Sequence, residues 1–320
     1  MIEIPSETSS ARSPGNPRIL IVGNAGQLGR ELERAFTGFG TIIAVDRESV
    51  DLGDSDQIRA LVRSSAPDII LNAAAYTAVD RAETDSALAH AINARAPRIL
   101  AEEACLRKAL FVHYSTDYVF DGSKPGPWIE SDAPNPLNVY GASKLAGEQA
   151  LQNTCGNHLI FRTSWIYGPH GNNFLLTLLR LARERDRLSI VTDQIGAPTS
   201  SIELARATYT IVTGCLAGRF GPPQDWCGLY HMTCTGSVSW FGFAQAIFAR
   251  VAGLLDVKAP ELIPVASKEY PARAVRPRNS VLSNAKLHAR FGVQLRLWES
   301  TLDEVLQTLK AEGWKQPPAL

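Results

Sequence analysis

The 320-residue sequence predicts an α/β fold, a doubly wound parallel sheet with a smaller, discontinuous C-terminal cap. Three features point there. Apolar, β-branched runs recur along the first half of the chain, stretches of helical apolar spacing separate them, and the first run opens directly into a glycine turn. Runs that are apolar throughout suit strands buried on both faces, and strand–helix alternation implies parallel pairing beneath two helical layers. Folds of this class take ligands beyond the carboxyl ends of their strands.

Taken in order, Arg18–Gly23 is the first buried strand. It leads into Gly23-Asn24-Ala25-Gly26-Gln27-Leu28-Gly29 and then a helical pattern from Arg30 to Phe36. Strand, glycine turn and helix in that order are the context a dinucleotide fingerprint requires. Gly23 and Gly26 let backbone N–H groups approach a pyrophosphate, and Gln27 and Leu28 stand at the helix N-terminus, whose partial charge favours an anion. The architecture expected is therefore Rossmann-like. The second strand, Thr41–Asp46, ends on an acid where an adenosine ribose should lie. Asp46 favours NAD through the ribose hydroxyls, whereas Arg47, next in line, suits the 2′-phosphate of NADP. NADPH and NADH both stay open. Asp51 and Leu52 fall at the adenine edge, with a helix-start role for Asp51 the alternative.

Asp68–Ala75 is the third strand and runs into small residues. Ala75 lets a cofactor backbone pass closely, while Tyr76 and Thr77 offer side-chain contacts; a tightly packed strand end reads the same way. Thr84–Lys108 carries helical spacing, Ala109–Ser115 is the next strand, and Thr116 lies just past it, where chemistry belongs. Asn138–Leu151 is a helix carrying Tyr140 and Lys144, four apart on one face. A phenol with a pKa near ~10 needs about 4 kcal/mol to reach neutrality, which a neighbouring ammonium helps to supply. His158–Trp165 is a further strand, Phe174–Glu184 a helix, Leu188–Thr192 a strand and Gly228–Thr233 the last strand of the sheet. From Ser237 onward come a helix, a proline-rich stretch over Pro264–Pro277, and an amphipathic helix near Leu302–Leu309. Arg273, Arg276 and Arg278 in that stretch suit an anionic substrate, or else a solvated basic loop. The chain thus divides into a disordered leader (1–17), a dinucleotide-binding domain (18–166, continued by 187–235) and a substrate-binding cap (167–186 and 236–320).

Composition narrows the function further. Lys+Arg and Asp+Glu are equal at 32 each, so no basic field draws nucleic acid and no polybasic patch draws a membrane. No apolar run reaches membrane-spanning length. Five cysteines without metal-like pairing suit a reducing cytoplasm, and six histidines show no ligand spacing. No metal ligand set emerges. The leader is polar and lacks the hydrophobic centre of a secretory signal.

Gly23-x-x-Gly26-x-x-Gly29, Ser115-Thr116-Asp117 and Tyr140-x-x-x-Lys144 together resemble the extended short-chain dehydrogenases/reductases. More narrowly, Ser115-Thr116-Asp117-Tyr118-Val119-Phe120-Asp121-Gly122, Pro136-Leu137-Asn138-Val139-Tyr140-Gly141, Arg162–Gly168 and Arg276-Pro277-x-Asn279-Ser280 resemble the dTDP-4-dehydrorhamnose reductases. The resemblance runs from about Arg18 to the C-terminal helix. It implies hydride transfer from a nicotinamide to the keto carbon of a dTDP-linked 4-keto-6-deoxyhexose. Tyr140 is then the proton donor, Lys144 lowers its pKa and holds the nicotinamide ribose, and Thr116 positions the keto oxygen. Asp117, Trp165 and Arg276 face the sugar nucleotide. The resemblance also offers magnesium held by glutamates at a dimer contact. Glu31 falls on one such position, but Ile202 stands on another with Glu203 shifted by one, leaving an incomplete oxygen set. The chain is expected as a monomer or homodimer. Two alternatives share the fold: a nucleotide-sugar epimerase or dehydratase, and a non-catalytic NADP-binding regulatory subunit. Dehydratases of this type place a glutamate after the Thr-Asp pair, where this chain has Tyr118.

Overall fold

The computed structural model describes residues 16–154 and 156–314; nearly all of the expected leader lies outside the described residues. The first half follows the predicted alternation: Arg18–Val22 (β1), Gln27–Phe36 (α1), Thr41–Val45 (β2), Ser55–Ser65 (α2), Ile69–Asn72 (β3), Ala96–Arg107 (α3), Leu110–Thr116 (β4), Val139–Thr154 (α4) and His158–Thr163 (β5). The second half adds Phe174–Glu184 (α5), Arg187–Val191 (β6), Ser201–Leu216 (α6), Gly228–His231 (β7), Trp240–Val251 (α7), Glu261–Val265 (β8) and Trp298–Ala311 (α8).

Six strands form one parallel sheet in the order β7-β5-β4-β3-β1-β2. Chain order reverses at β1, which has β2 on one side and β3 on the other, and this switch point opens the crevice where such sheets bind nucleotides. Alternation along β1 builds two cores. Ile19 and Ile21 pack with Leu28, Leu32 and Phe36 of α1 and with Leu204 and Ile211 of α6. Leu20 and Val22 pack on the other face with Ile58 and Val62 of α2 and Ile99 and Leu100 of α3. Side chains of a strand alternate between faces, and each fully buried Leu or Ile contributes roughly 1.5–3 kcal/mol.

One expected strand lies elsewhere. β6 pairs in parallel with β8 in a separate two-stranded ribbon, so it does not continue the sheet. Its Leu188 and Ile190 join a third core with Leu175 and Leu179 of α5, Phe243 and Ile247 of α7, and Leu302 and Leu306 of α8. The physical reason is in its pattern: Arg187 and Ser189 are exposed while Leu188 and Ile190 are buried, the mark of a strand with one wet face. α6 and β7 do return to the sheet. The long helix expected over Thr84–Lys108 is also broken. Ser86–His90 passes through a π-helical turn, Ala91–Arg95, before α3 begins.

Candidate active site

The glycine turn lies at the carboxyl end of β1. Gly23 takes φ +89°, and a Cβ there would sit 2.8 Å from Ala74 backbone atoms, so only glycine fits. Its N–H donates to the Val45 carbonyl at 2.7 Å, and Gly26 N–H donates back to the Gly23 carbonyl at 3.0 Å. A Cβ on Gly26 would meet only that carbonyl, which leaves its outer side open. Gln27 and Leu28 are the first two residues of α1, so their N–H groups have no partner within the helix. The turn offers the open approach and free N–H donors that a pyrophosphate requires.

At the end of β2, Asp46 Oδ1 accepts from Glu48 N–H at 2.9 Å and Ser49 N–H at 3.2 Å, and these bonds hold its carboxyl below the usual range. Arg47 beside it is exposed. Asp51 caps no helix: it accepts from Gly53 N–H at 2.7 Å, and the start of α2 belongs to Asp54, which accepts from Asp56 and Gln57. Leu52 is half-buried against the core beneath. After β3, Ala75 and Tyr76 are half-buried and Thr77 is exposed. A residue that spacing did not reveal holds this segment. Asn93, in the π turn, accepts from Tyr76 N–H at 2.8 Å and donates to the Tyr76 carbonyl and to Ser143 Oγ of α4, both at 3.0 Å. The sequence signal was a buried asparagine inside a helical pattern, which a π bulge accommodates.

Thr116, Asp117 and Tyr140 meet at the carboxyl end of β4. The Thr116 hydroxyl lies beside the Tyr140 phenol and donates to Asp117 Oδ1 at 3.1 Å. Tyr118 packs edge-on against Tyr140, with centroids 5.7 Å apart. Asn138 caps α4, accepting from Gly141 N–H at 2.8 Å while donating to the Val275 carbonyl at 2.8 Å. Burial pushes Tyr140 up to about 12, with Thr116 opposing and Asp117 assisting. Burial also pushes Asp117 up to about 7, with one carboxyl oxygen unpartnered.

Lys144, expected to lower the tyrosine pKa, points its ammonium at β4. Its Nζ donates to the Tyr114 carbonyl at 2.6 Å and lies 3.2 Å from His113 Nε2, both on β4. Burial brings the lysine down to about 8. With the ammonium turned to the strand, burial dominates the phenol, and Thr116 and Asp117 are the lesser influences.

The cap contributes a cavity of about 490 Å³ lined by Gln194, Trp240, Tyr270, Arg276 and Arg278, among others. Arg276 is not a free fork: Nη2 donates to Asp80 Oδ2 at 2.6 Å, and its guanidinium lies close to Tyr118. Ser280 lies against Asp117 and favours its carboxylate, and Asn279 donates to the Lys124 and Gly126 carbonyls. The motif expected to read the substrate thus also ties the cap to the catalytic turn. Trp165 adopts φ +48° and stacks on Trp240 at 3.5 Å and 5°, so one ring face is covered by protein.

A family model described as RmlD substrate binding domain matches residues 17–311. The chain belongs to the dTDP-4-dehydrorhamnose reductase family. It is 45% identical to a dTDP-4-dehydrorhamnose reductase of Burkholderia thailandensis, over 88% of this chain and 95% of the relative. It is 43% identical to one of Escherichia coli, over 91% and 97% respectively. Its fold is similar to the crystal structure of the Bacillus anthracis dTDP-4-dehydrorhamnose reductase in complex with NADP, with a TM-score of 0.83 and 36% identity over 92% of this chain and 99% of that one.

The magnesium contact offered by the family resemblance meets a different chemistry in this chain. Glu203 is gripped by Arg296 at 2.6 Å, Glu304 by Arg206 at 2.6 Å, and Glu31 by Arg34 at 3.3 Å. These carboxylates are neutralised by guanidinium groups, a donor set that does not fit a hard cation needing several oxygen ligands. Among the described residues no group of three metal-ligating side chains converges. No helix among them is long and apolar enough to cross a membrane.

Proposed function

We propose that this chain reduces dTDP-4-dehydro-L-rhamnose to dTDP-L-rhamnose, for cell-surface polysaccharide, with NADPH as the preferred cofactor and NADH as a second. The observation that carries this reading is the meeting of Thr116, Asp117 and Tyr140 at a strand end beside a glycine cradle. The Asp46–Arg47 pair and the NADP bound by the Bacillus anthracis relative support the cofactor. Bound there, the nicotinamide supplies the hydride that becomes the C4–H of the product.

The chain's own residues do the rest. Thr116 donates to the C4 oxygen and aims it at Tyr140. Tyr140 gives its phenolic proton to that oxygen as the carbonyl becomes a hydroxyl, leaving a phenolate that Lys144 then supplies with a proton. Asp117 contacts the sugar hydroxyls, and the cap cavity with Arg276 and Arg278 takes the dTDP. The sheet holds the cofactor, and residues 167–191 and 236–314 close over the substrate. Tyr118 stands where elimination needs a basic glutamate, which weighs against a dehydratase. Every group named comes from one chain, so a monomer suffices and a homodimer is compatible. The four cysteines among the described residues are free thiols, which supports a cytoplasmic setting.

The test is loss of reduced-nicotinamide absorbance when dTDP-4-dehydro-L-rhamnose and NADPH are supplied. Turnover is expected. Binding of both ligands without turnover overturns the reading.

A further inference from the structure

The buried centre of β4 holds a titratable group that the proposed reaction leaves idle. His113 is wholly buried and stacks on Phe111, with ring planes at 10°. Its Nε2 lies 3.2 Å from Lys144 Nζ. Its Nδ1 lies 3.1 Å from Nδ2 of Asn72, its register partner on β3. Asn72 Oδ1 accepts from the Ala74 backbone N–H at 3.3 Å. These contacts run from the catalytic lysine to the strand end that abuts Gly23.

Proton order along them follows from the one donor that cannot change. A backbone N–H always donates, so Ala74 turns the Asn72 oxygen toward itself and the amide NH₂ toward His113. Nδ1 must then accept, and the single proton of a neutral imidazole sits on Nε2. His113 is neutral because burial holds its pKa well below the ordinary 6.5. Its Nε2–H therefore faces Nζ. An ammonium has no lone pair to receive that proton, whereas an amine has one. Either form retains a hydrogen for the Tyr114 carbonyl.

We propose that His113 is a positioning residue that presents an N–H to Lys144 and so favours its neutral amine. The lysine then releases its proton readily, which restores the Tyr140 phenol in each turnover; in this the proposal rests on the reduction assigned above. The other charges near Nζ are Glu148, one turn along α4, which favours the ammonium, and Arg162 of β5, which pairs with Glu148 at 2.6 Å. Burial outweighs Glu148.

His113→Gln keeps the side chain's reach and lets an amide oxygen face Nζ, which favours the ammonium. In the full chain, the Lys144 titration followed by ¹³C NMR of the lysine ε carbons, assigned with Lys144→Arg, is expected to move up by about one pH unit. The alkaline limb of kcat with NADPH should move with it. A purely structural role lowers Tm and scales kcat at every pH without moving the titration, and that result overturns the proposal. So does a ¹⁵N-histidine spectrum of the unaltered protein that places the His113 proton on Nδ1, a measurement that needs no variant to fold. Both NMR readings are made without substrate. Failure of the reductase reading, seen as no turnover by the unaltered protein, is therefore scored separately.

Discussion

Tyr140 and Asp117 are two acids in one buried corner, and burial moves both the same way with opposite consequences. A phenol pushed up to about 12 keeps its proton at any working pH, which is the state a donor must start from. Tyr140→Phe removes that proton and little else, so kcat should fall about 10²–10⁴-fold while NADPH affinity, read by fluorescence quenching, stays put. A variant that retains most of its kcat would identify another donor. Asp117 instead crosses its ionisation near neutrality. Its folded pKa of about 7 lies above the ordinary 3.8, so between those values the native state holds a proton the unfolded chain has released. Stability therefore falls as pH rises through that window and levels off above it. Asp117→Asn cannot titrate, so its Tm advantage over the unaltered protein should grow from pH 4 to pH 7 and then stay constant. An advantage independent of pH would remove the buried carboxyl from the account.

At the scale of elements, the site depends on how closely α4 can lie against its neighbours. A Cβ on Gly141 would collide with the Tyr118 carbonyl, and one on Gly147 would collide with the Asn93 carbonyl. The two glycines bring Tyr140 and Lys144 to the strand ends and seat the helix on the π turn. Gly141→Ala should cost about 1–3 kcal/mol, as for other overpacked sites, and lower kcat through displacement of Tyr140. Thermal melting and steady-state kinetics on the same sample check this; unchanged kcat would show that the helix tolerates the shift. Here lies the division between what the sequence made legible and what it hid. The strands of the sheet, the glycine cradle and the Thr116–Tyr140 meeting were readable because period and motif report local geometry. Asn93 and the Asp80 anchor were not, because each acts across long separations on backbone groups that leave no periodic trace. The lysine's turn toward β4 was hidden for a related reason. Spacing puts Lys144 on the face of Tyr140, yet a carbonyl and an imidazole on another element decide where its ammonium points.

For the whole molecule, the question is what holds the cap against the sheet, and Asp80 is the joint. It follows the segment proposed to line the cofactor, and its Oδ1 accepts from Arg273 and Ala274 N–H, each at 3.0 Å, while Oδ2 takes Arg276 at 2.6 Å. One carboxylate therefore fixes the cap loop that lines the 490 Å³ cavity and anchors Arg276, which lies close to Tyr118 beside the proposed proton donor. The Asp80 side chain is 44% exposed, so as a contribution to stability the ion pair is worth little, about 0–1 kcal/mol. Its effect on binding is different, because a released loop must be ordered again by the substrate. Asp80→Ala should leave Tm within a few degrees and kcat within a small factor, yet raise KM for the sugar nucleotide about tenfold, the equivalent of ~1.4 kcal/mol of lost loop order. Affinity for NADPH should not change, since the glycine cradle lies on the other side of the joint. If kcat collapsed with KM unaltered, Asp80 would be serving the catalytic turn through Arg276 and Tyr118. If neither moved, the cap would be held by its apolar contacts alone.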